Sequence, residues 1–435
     1  MGETFWLLPA ALVALAIVLA LGFVALDKSG LVPDWLVNSP WLYSGGGTGA
    51  RTLLGAIASS TIGVAGTVFS ITIAALSLAA GQMGPRLLRN FTRDRGNQFT
   101  LGAFLGTFSY ALMVLRSVRT QNEGAFTPHL SLSIAILLAF LCVGVLVFFV
   151  GHMAGRISVE TVIDLVSREM QATLLTLTSD EANDPAPPRE FWRGGVGILS
   201  DQSGYLQELD CEGLADWAAE NGTTLHLLLR VGGYVYPGAT VAIATSQIAD
   251  AQAAVRNAMA LGPVQTASDD LEFTVGQLVE VAVRALSPGI NDPKTAQAVL
   301  DRLGSALCEL APKRLPSGVF LRNGKVALVV PVVDYATLTD AMFGLIRQNA
   351  GGSAAVVKHL LEVLTAVAGC ERDPGRAAAL RRHACLALAD AEHGIENTED
   401  RAEIRRSFDT FEITRQHGTI AAFRASGLAE PISAP

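Results

Sequence analysis

The chain has 435 residues, of which 50% are hydrophobic and 17% charged, and it carries a net charge of −8. An ordinary soluble composition, with about a quarter of the residues charged, is excluded, and so is a nucleic-acid binder, which needs a clustered basic surface. The five cysteines, at 142, 211, 308, 370 and 385, include no CxxC pair, which argues against a zinc ribbon or a disulfide framework and for reduced thiols.

Charge is placed unevenly. Residues 1–150 hold few Lys, Arg, Asp or Glu, and the acidic excess lies after residue 158. The first part reads as lipid-facing and the second as water-facing. Uncharged runs cover Thr4–Leu26, Thr52–Pro85, Gly96–Leu115 and Leu130–Gly151. Each reaches the ~20 residues that cross the hydrocarbon of a bilayer. Backbone groups in lipid must be satisfied internally, so the runs are helices. The expected spans are 4–26, 53–80, 97–117 and 130–151, within a transmembrane domain of 1–155. The first run is too long for a signal-peptide core and lacks a basic lead-in, so it is expected to be retained.

The second run is the most informative. At 100° per residue, Thr52, Gly55, Ser59, Gly63, Gly66, Ser70, Ala74, Ser77 and Gly81 fall on one face about 100° wide. Two readings are open. Ser59, Gly63, Gly66, Ser70 and Ser77 either line a water-accessible path or let helices pack closely. About 34 uncharged residues make ~51 Å of helix, longer than the bilayer core. Such a helix either projects beyond the membrane or breaks near Gly63–Gly66.

Arg86, Arg89, Arg93 and Arg95 follow, with only Asp94 against them. The positive-inside rule makes this loop cytoplasmic. Both termini then lie inside, in a bacterial inner membrane. Arg86, Arg89 and Arg93 share a helical face. They either ring an inner mouth or reach lipid phosphates.

Beyond Gly151, a connecting helix and linker are expected over 156–190, with Ser179–Arg189 as the linker. A small β-rich unit follows over 191–245. Its expected strands are Val196–Leu199, Tyr205–Leu209, Leu225–Val231 and Thr240–Ala244, with a helix at Asp210–Glu220. The remainder, 246–435, reads as mainly helical: 246–261, 271–286, 294–311, 337–349, 353–369, 375–394 and 399–416. One strand pair, Val319–Leu321 and Lys325–Val333, is turned by Asn323-Gly324.

Arg284, Asn291 and Asp292 flank the turn between two of these helices. Asp292 has the position of an N-cap, with Pro293 next. The turn is either a structural hinge or, with Asp269, Asp270, Glu272 and Glu280 upstream, part of a cation or anion site. No nucleophile elbow, HExxH or GxGxxG appears, so no catalytic residue, cofactor or enzyme activity is expected.

Three strings carry a resemblance: Gly81-Gln82-Met83-Gly84-Pro85-Arg86-Leu87-Leu88-Arg89-Asn90-Phe91, Ser203-Gly204-Tyr205-Leu206-Gln207, and Ala285-Leu286-Ser287-Pro288-Gly289-Ile290-Asn291-Asp292-Pro293. The chain resembles a family of predicted bacterial membrane proteins known as domain of unknown function 2254. The resemblance implies location and layout, and no activity or site residues.

From the residues, the leading expectation is a homo-oligomeric passive channel or channel-like transporter with a cytoplasmic assembly or gating domain. Its partners are the bilayer and other copies of itself; the sequence names no ion or ligand. The alternative is a non-transporting sensor or scaffold. The span cores hold no charged residue, which weighs against ion-coupled transport.

Overall fold

The computed structural model describes residues 6–29, 43–83, 94–119, 126–156, 159–178, 184–265 and 271–425. The chain divides into two compact units, Met1–Val162 and Ile163–Pro435.

The described residues of the first unit form four long helices: α1 Leu7–Ser29, α2 Gly47–Met83, α3 Arg95–Ser117 and α4 His129–Arg156. All four are long and apolar enough to cross a membrane. α2 is one unbroken helix of 37 residues, which at 1.5 Å per residue is ~55 Å long. It begins at Gly47, five residues before the uncharged run that starts at Thr52.

α3 is the least apolar of the four and the most enclosed, and the two properties have one cause. Polar groups in a membrane helix need partners, which only the inside of a bundle supplies. Asn97, Thr100, Thr107 and Tyr110 are all buried. Thr107 Oγ1 lies 3.2 Å from Cys142 Sγ on α4, and Tyr110 Oη donates to the Ser131 carbonyl at 3.1 Å. Gly102 and Gly106 let α1 approach. A Cβ on Gly102 would stand 2.5 Å from Leu12 Cδ1 and 3.1 Å from the Pro9 Cα. The outward faces of α1 and α4 are the opposite in kind. Leu15, Val18 and Leu21, and Leu137, Phe140 and Val147, are all exposed, as suits contact with acyl chains.

The two ends of the bundle are tied by carboxylates. Asp27, on the last turn of α1, accepts from the Leu130 and Ser131 amides at 3.1 and 3.0 Å and from Ser131 Oγ at 2.6 Å. One helix therefore supplies the N-terminal cap of another. His129 Nδ1 donates to the Tyr43 carbonyl at 2.6 Å. At the other end, Asp94 caps α3 through the Gly96 amide at 2.8 Å and meets His152 Nε2 at 2.7 Å.

α5 (Val159–Leu177) carries the chain into the second unit, which continues with a short 3-10 turn at Arg189–Trp192. Its strands are β1 Val196–Leu199, β2 Gly204–Leu209, β3 Leu225–Leu227, β4 Tyr234–Val235, β5 Thr240–Ala244, β6 Met259–Gly262, β7 Val319–Arg322 and β8 Lys325–Val329. They form a five-stranded sheet, β1-β5-β3-β8-β7, and a three-stranded sheet, β4-β2-β6. The β3–β8 pair is parallel and the others are antiparallel. The larger sheet thus takes two strands from a hairpin far down the chain. Asn323 and Gly324 turn that hairpin with φ of 51° and 72°, the left-handed pair a two-residue turn requires. α6 (Cys211–Glu220) closes the core over Leu214, Leu225, Leu227, Val241 and Leu328.

Several assignments differ from the sequence reading, among them the second strand of the late hairpin, expected over Lys325–Val333, which ends at Val329. The helix expected over 246–261 is α7, Ala251–Ala258, and the next residues turn into β6 against β2. The strand expected at Leu225–Val231 ends at Leu227, where the chain leaves the sheet. β4 carries no alternating pattern because it is two residues long. At β6, pairing with the distant β2 overrides the local helical preference.

The remaining helices are α8 Leu271–Ala285, α9 Pro293–Leu310, α10 Tyr335–Ala350, α11 Ala354–Cys370, α12 Pro374–Gly394, α13 Thr398–His417 and α14 Thr419–Ala425. Aspartate or asparagine caps begin α9, α10, α12 and α13, which is why sequence places these helices to within about two residues.

Candidate functional site

α2 has two unlike faces. The face packed into the bundle is Ala50, Leu54, Ile57, Ala58, Thr61, Ala65, Val68 and Ala75, all buried. The opposite face carries Ser59, Gly63, Gly66, Ser70 and Ser77, all exposed. A Cβ built on Gly55, Gly63 or Gly66 meets nothing within 4 Å. Close approach within the chain therefore rests on the alanines of the inner face, and the small-residue stripe lies outside the bundle. Ile62, Phe69 and Ile73 border it and are exposed.

The stripe's hydroxyls do not break the helix. Ser59 Oγ donates to the Gly55 carbonyl at 2.9 Å, Thr67 Oγ1 to Gly63 at 3.1 Å and Ser70 Oγ to Gly66 at 2.9 Å. Each hydroxyl proton is thus held by the helix itself, while the oxygen lone pairs stay open toward the outside. A face of this kind tolerates lipid, accepts hydrogen bonds from water and lets another helix approach. Arg86, Arg89 and Arg93 lie outside the described residues.

The second group of sequence candidates lies at the α8–α9 turn. Arg284 pairs with Glu280 one turn back on α8, Nη2 to Oε1 3.2 Å. Ser287 Oγ donates to the Arg284 carbonyl at 2.6 Å. Asn291 takes a left-handed φ of 50°, which asparagine tolerates better than most residues. Asp292 caps α9: Oδ1 accepts from the Lys294 and Thr295 amides at 3.1 and 3.2 Å, and Oδ2 from Thr295 Oγ1 at 2.6 Å. The Thr295 hydroxyl bond, followed by the two amide bonds, holds the Asp292 carboxyl below the usual range. Glu272 is engaged elsewhere, with Arg230 at 2.5 Å; Asp269 and Asp270 lie outside the described residues. The turn's side chains serve its own backbone. Asp292→Ala should therefore cost about 0.5–2 kcal/mol, read as a lower denaturation midpoint of the full chain in detergent. An unchanged midpoint would remove the capping role.

An open groove of about 520 Å³ lies between the N-terminal halves of α9 and α11, lined by Lys294, Gln297, Asp301, Lys358, His359 and Glu362. Most of its charges are satisfied within the protein. His359 Nε2 meets Asp301 at 2.7 Å and Nδ1 meets Glu362 at 3.2 Å, and Lys358 Nζ meets Glu403 at 2.9 Å. Among the described residues no three His, Cys, Asp or Glu side chains come together as a metal-binding group. His383 is enclosed between α10 and α12. Its Nδ1 has no hydrogen-bond partner.

Residues 2–366 match the family described as "Predicted membrane protein (DUF2254)". The chain belongs to that family. Proteins of similar sequence include uncharacterized proteins of Mycobacterium tuberculosis (strain CDC 1551) and Mycobacterium bovis. Each is 31% identical over 412 residues, which is 91% of this chain and 77% of the relative. No solved structure matches. The family description and the four apolar helices agree that this is a membrane protein.

Proposed function

We propose that this DUF2254 protein forms a homo-oligomeric passive channel. The outer face of α2 lines the path, and the second unit assembles or gates it from the cytoplasmic side of the inner membrane. One observation carries the reading: a continuous face of Ser, Thr and Gly points away from the chain's own bundle, on the longest of its apolar helices. Lipid-facing surfaces on α1 and α4 are Leu, Val and Phe, so the α2 stripe is a departure within the same unit. Small residues belong against helices or water, where backbones approach closely or hydroxyls are hydrated. A ring of copies gives the stripe both. The lack of charged residues in the span cores favours a passive path over a coupled one. The test is ion or solute flux into vesicles holding the purified protein, measured beside its oligomer mass. A pure oligomer that passes nothing would leave the sensor or scaffold reading in the lead.

The orientation in this proposal rests on the arginine cluster at 86–95 and the positive-inside rule. A cysteine placed at exposed Ser44 should react with an impermeant maleimide from outside intact cells, and one placed at Arg86 should not. Labelling at 86, or protection at 44, would reverse the topology.

A further inference from the structure

We propose that Cys308 and Cys370 are a peroxide-responsive thiol pair that closes into a disulfide between the C-terminal ends of α9 and α11. The two helices run parallel in one register. Gln297 Nε2 donates to the Ala355 carbonyl at 3.1 Å, and Asp301 meets His359 at 2.7 Å, each across 58 residues of sequence. One turn on, Gly304 faces Val363 and Val367; a Cβ there would stand 2.5 Å from Val363 Cγ1. The glycine lets the helices come unusually close immediately before Cys308. The next turn of that register brings Cys308 to the last turn of α11, which ends at Cys370. The Cys370 thiol lies near enough to Cys308 to raise its pKa. A disulfide needs Cα atoms roughly 4.4–6.8 Å apart with side chains facing, a separation that the close helix approach at Gly304 favours. Cys142, Cys211 and Cys385 stand elsewhere on α4, α6 and α12.

The two thiols differ in a way that orders the chemistry. Cys370 is exposed and Cys308 half-buried. Burial, then the neighbouring Cys370 thiol and Glu309, push the Cys308 thiol up to about 11, so it is a poor first nucleophile. Cys370, as thiolate, attacks one oxygen of hydrogen peroxide. The O–O bond breaks, hydroxide leaves and takes a proton from solvent, and Cys370 becomes a sulfenic acid. The Cys308 sulfur then attacks the Cys370 sulfur. The S–O bond breaks, and the departing hydroxide takes the Cys308 proton. Two thiols and one peroxide give one disulfide and two waters. The product ties α9 to α11, and a thiol reductant reopens it.

The experiment uses the full chain in detergent, reduced, desalted and treated with about one equivalent of hydrogen peroxide. Tryptic peptides Leu303–Lys313 and His359–Arg372 should appear as a disulfide-linked pair that dithiothreitol separates, with a loss of two free thiols per chain. In Cys308→Ser, Cys370 should instead be trapped by dimedone as the sulfenic acid. In Cys370→Ser, Cys308 should stay free. The wild-type linkage needs no variant to be informative. The proposal is overturned if these two peptides are not joined at full consumption of peroxide, if either is joined to another cysteine, or if the link runs between chains.

Discussion

Lowering the pH from 7.5 to 4.5 should destabilise the second unit by about 2 kcal/mol through His383 alone. The ring is almost wholly enclosed, 1% exposed, with Phe343 edge-on at 5.7 Å. Every charged group near it is committed. Asp340 lies 2.9 Å from Nε2 without a hydrogen bond and is shared with Arg382, while Arg347 pairs with Asp390. Burial first, then Arg382 and Arg347, lower the His383 pKa from 6.5 to about 4. The sign follows from proton counting. Between pH 6.5 and 4 the unfolded chain holds a proton on this histidine and the folded chain does not, so stability falls as pH falls. The contribution is complete above about pH 6.5 and disappears toward pH 4. Chemical denaturation of the full chain in detergent, followed by helical circular dichroism at both pH values, gives the difference. His383→Leu removes the titrating group with little change in volume, and should flatten the dependence by that amount. A variant with the wild-type pH slope would show that other groups set it.

His383 also shows where sequence reading stops. Its neighbours on α12, an alanine-rich helix, give no sign of which face is buried. The enclosure is made by α10, some forty residues away. Cys308 and Cys370 are invisible for the same reason: their spacing matches no motif, and only the parallel docking of α9 and α11 joins them. What sequence does show is local. The Asn323-Gly324 turn requires left-handed backbone, and the caps at Asp292, Asp334, Asp373 and Asn397 announce helices whatever surrounds them. The α2 stripe lies between these cases. Its periodicity is plain in the residues, but the direction it faces is a tertiary fact. In water the apolar face of a helix turns inward; in a bilayer both faces of α2 are apolar enough to face out. The buried face is the one with Leu54, Ile57 and Val68, which share hydrophobic clusters with Tyr110 on α3 and Phe149 on α4.

Gly66→Val and Ser70→Leu should each reduce vesicle flux by roughly tenfold or more, while the chain still folds and the oligomer keeps its mass. The folding half of this expectation comes from local space. Nothing lies within 4 Å of a Cβ at Gly66, so a valine there disturbs no neighbour in its own bundle. Ser70 gives up only its bond to the Gly66 carbonyl, a contact that mid-helix serines lose cheaply. The flux half comes from what the added carbon does to a narrow path. Branched or long apolar side chains at a ring of symmetry-related positions both narrow it and expel water, and a dewetted constriction stops conduction without being sterically closed. Ala65→Leu is the opposite control. Ala65 is 2% exposed, on the inner face among Leu101, Phe104 and Val145, so overpacking there should cost stability of the single chain by about 1–3 kcal/mol. Flux lost with mass retained assigns the stripe to the path. Mass lost together with flux makes the stripe a contact between copies, because the small residues were then needed for approach and not for water. Flux and mass both unchanged in both variants would leave the face in contact with lipid, and the channel reading would give way to a sensor or scaffold built on the second unit.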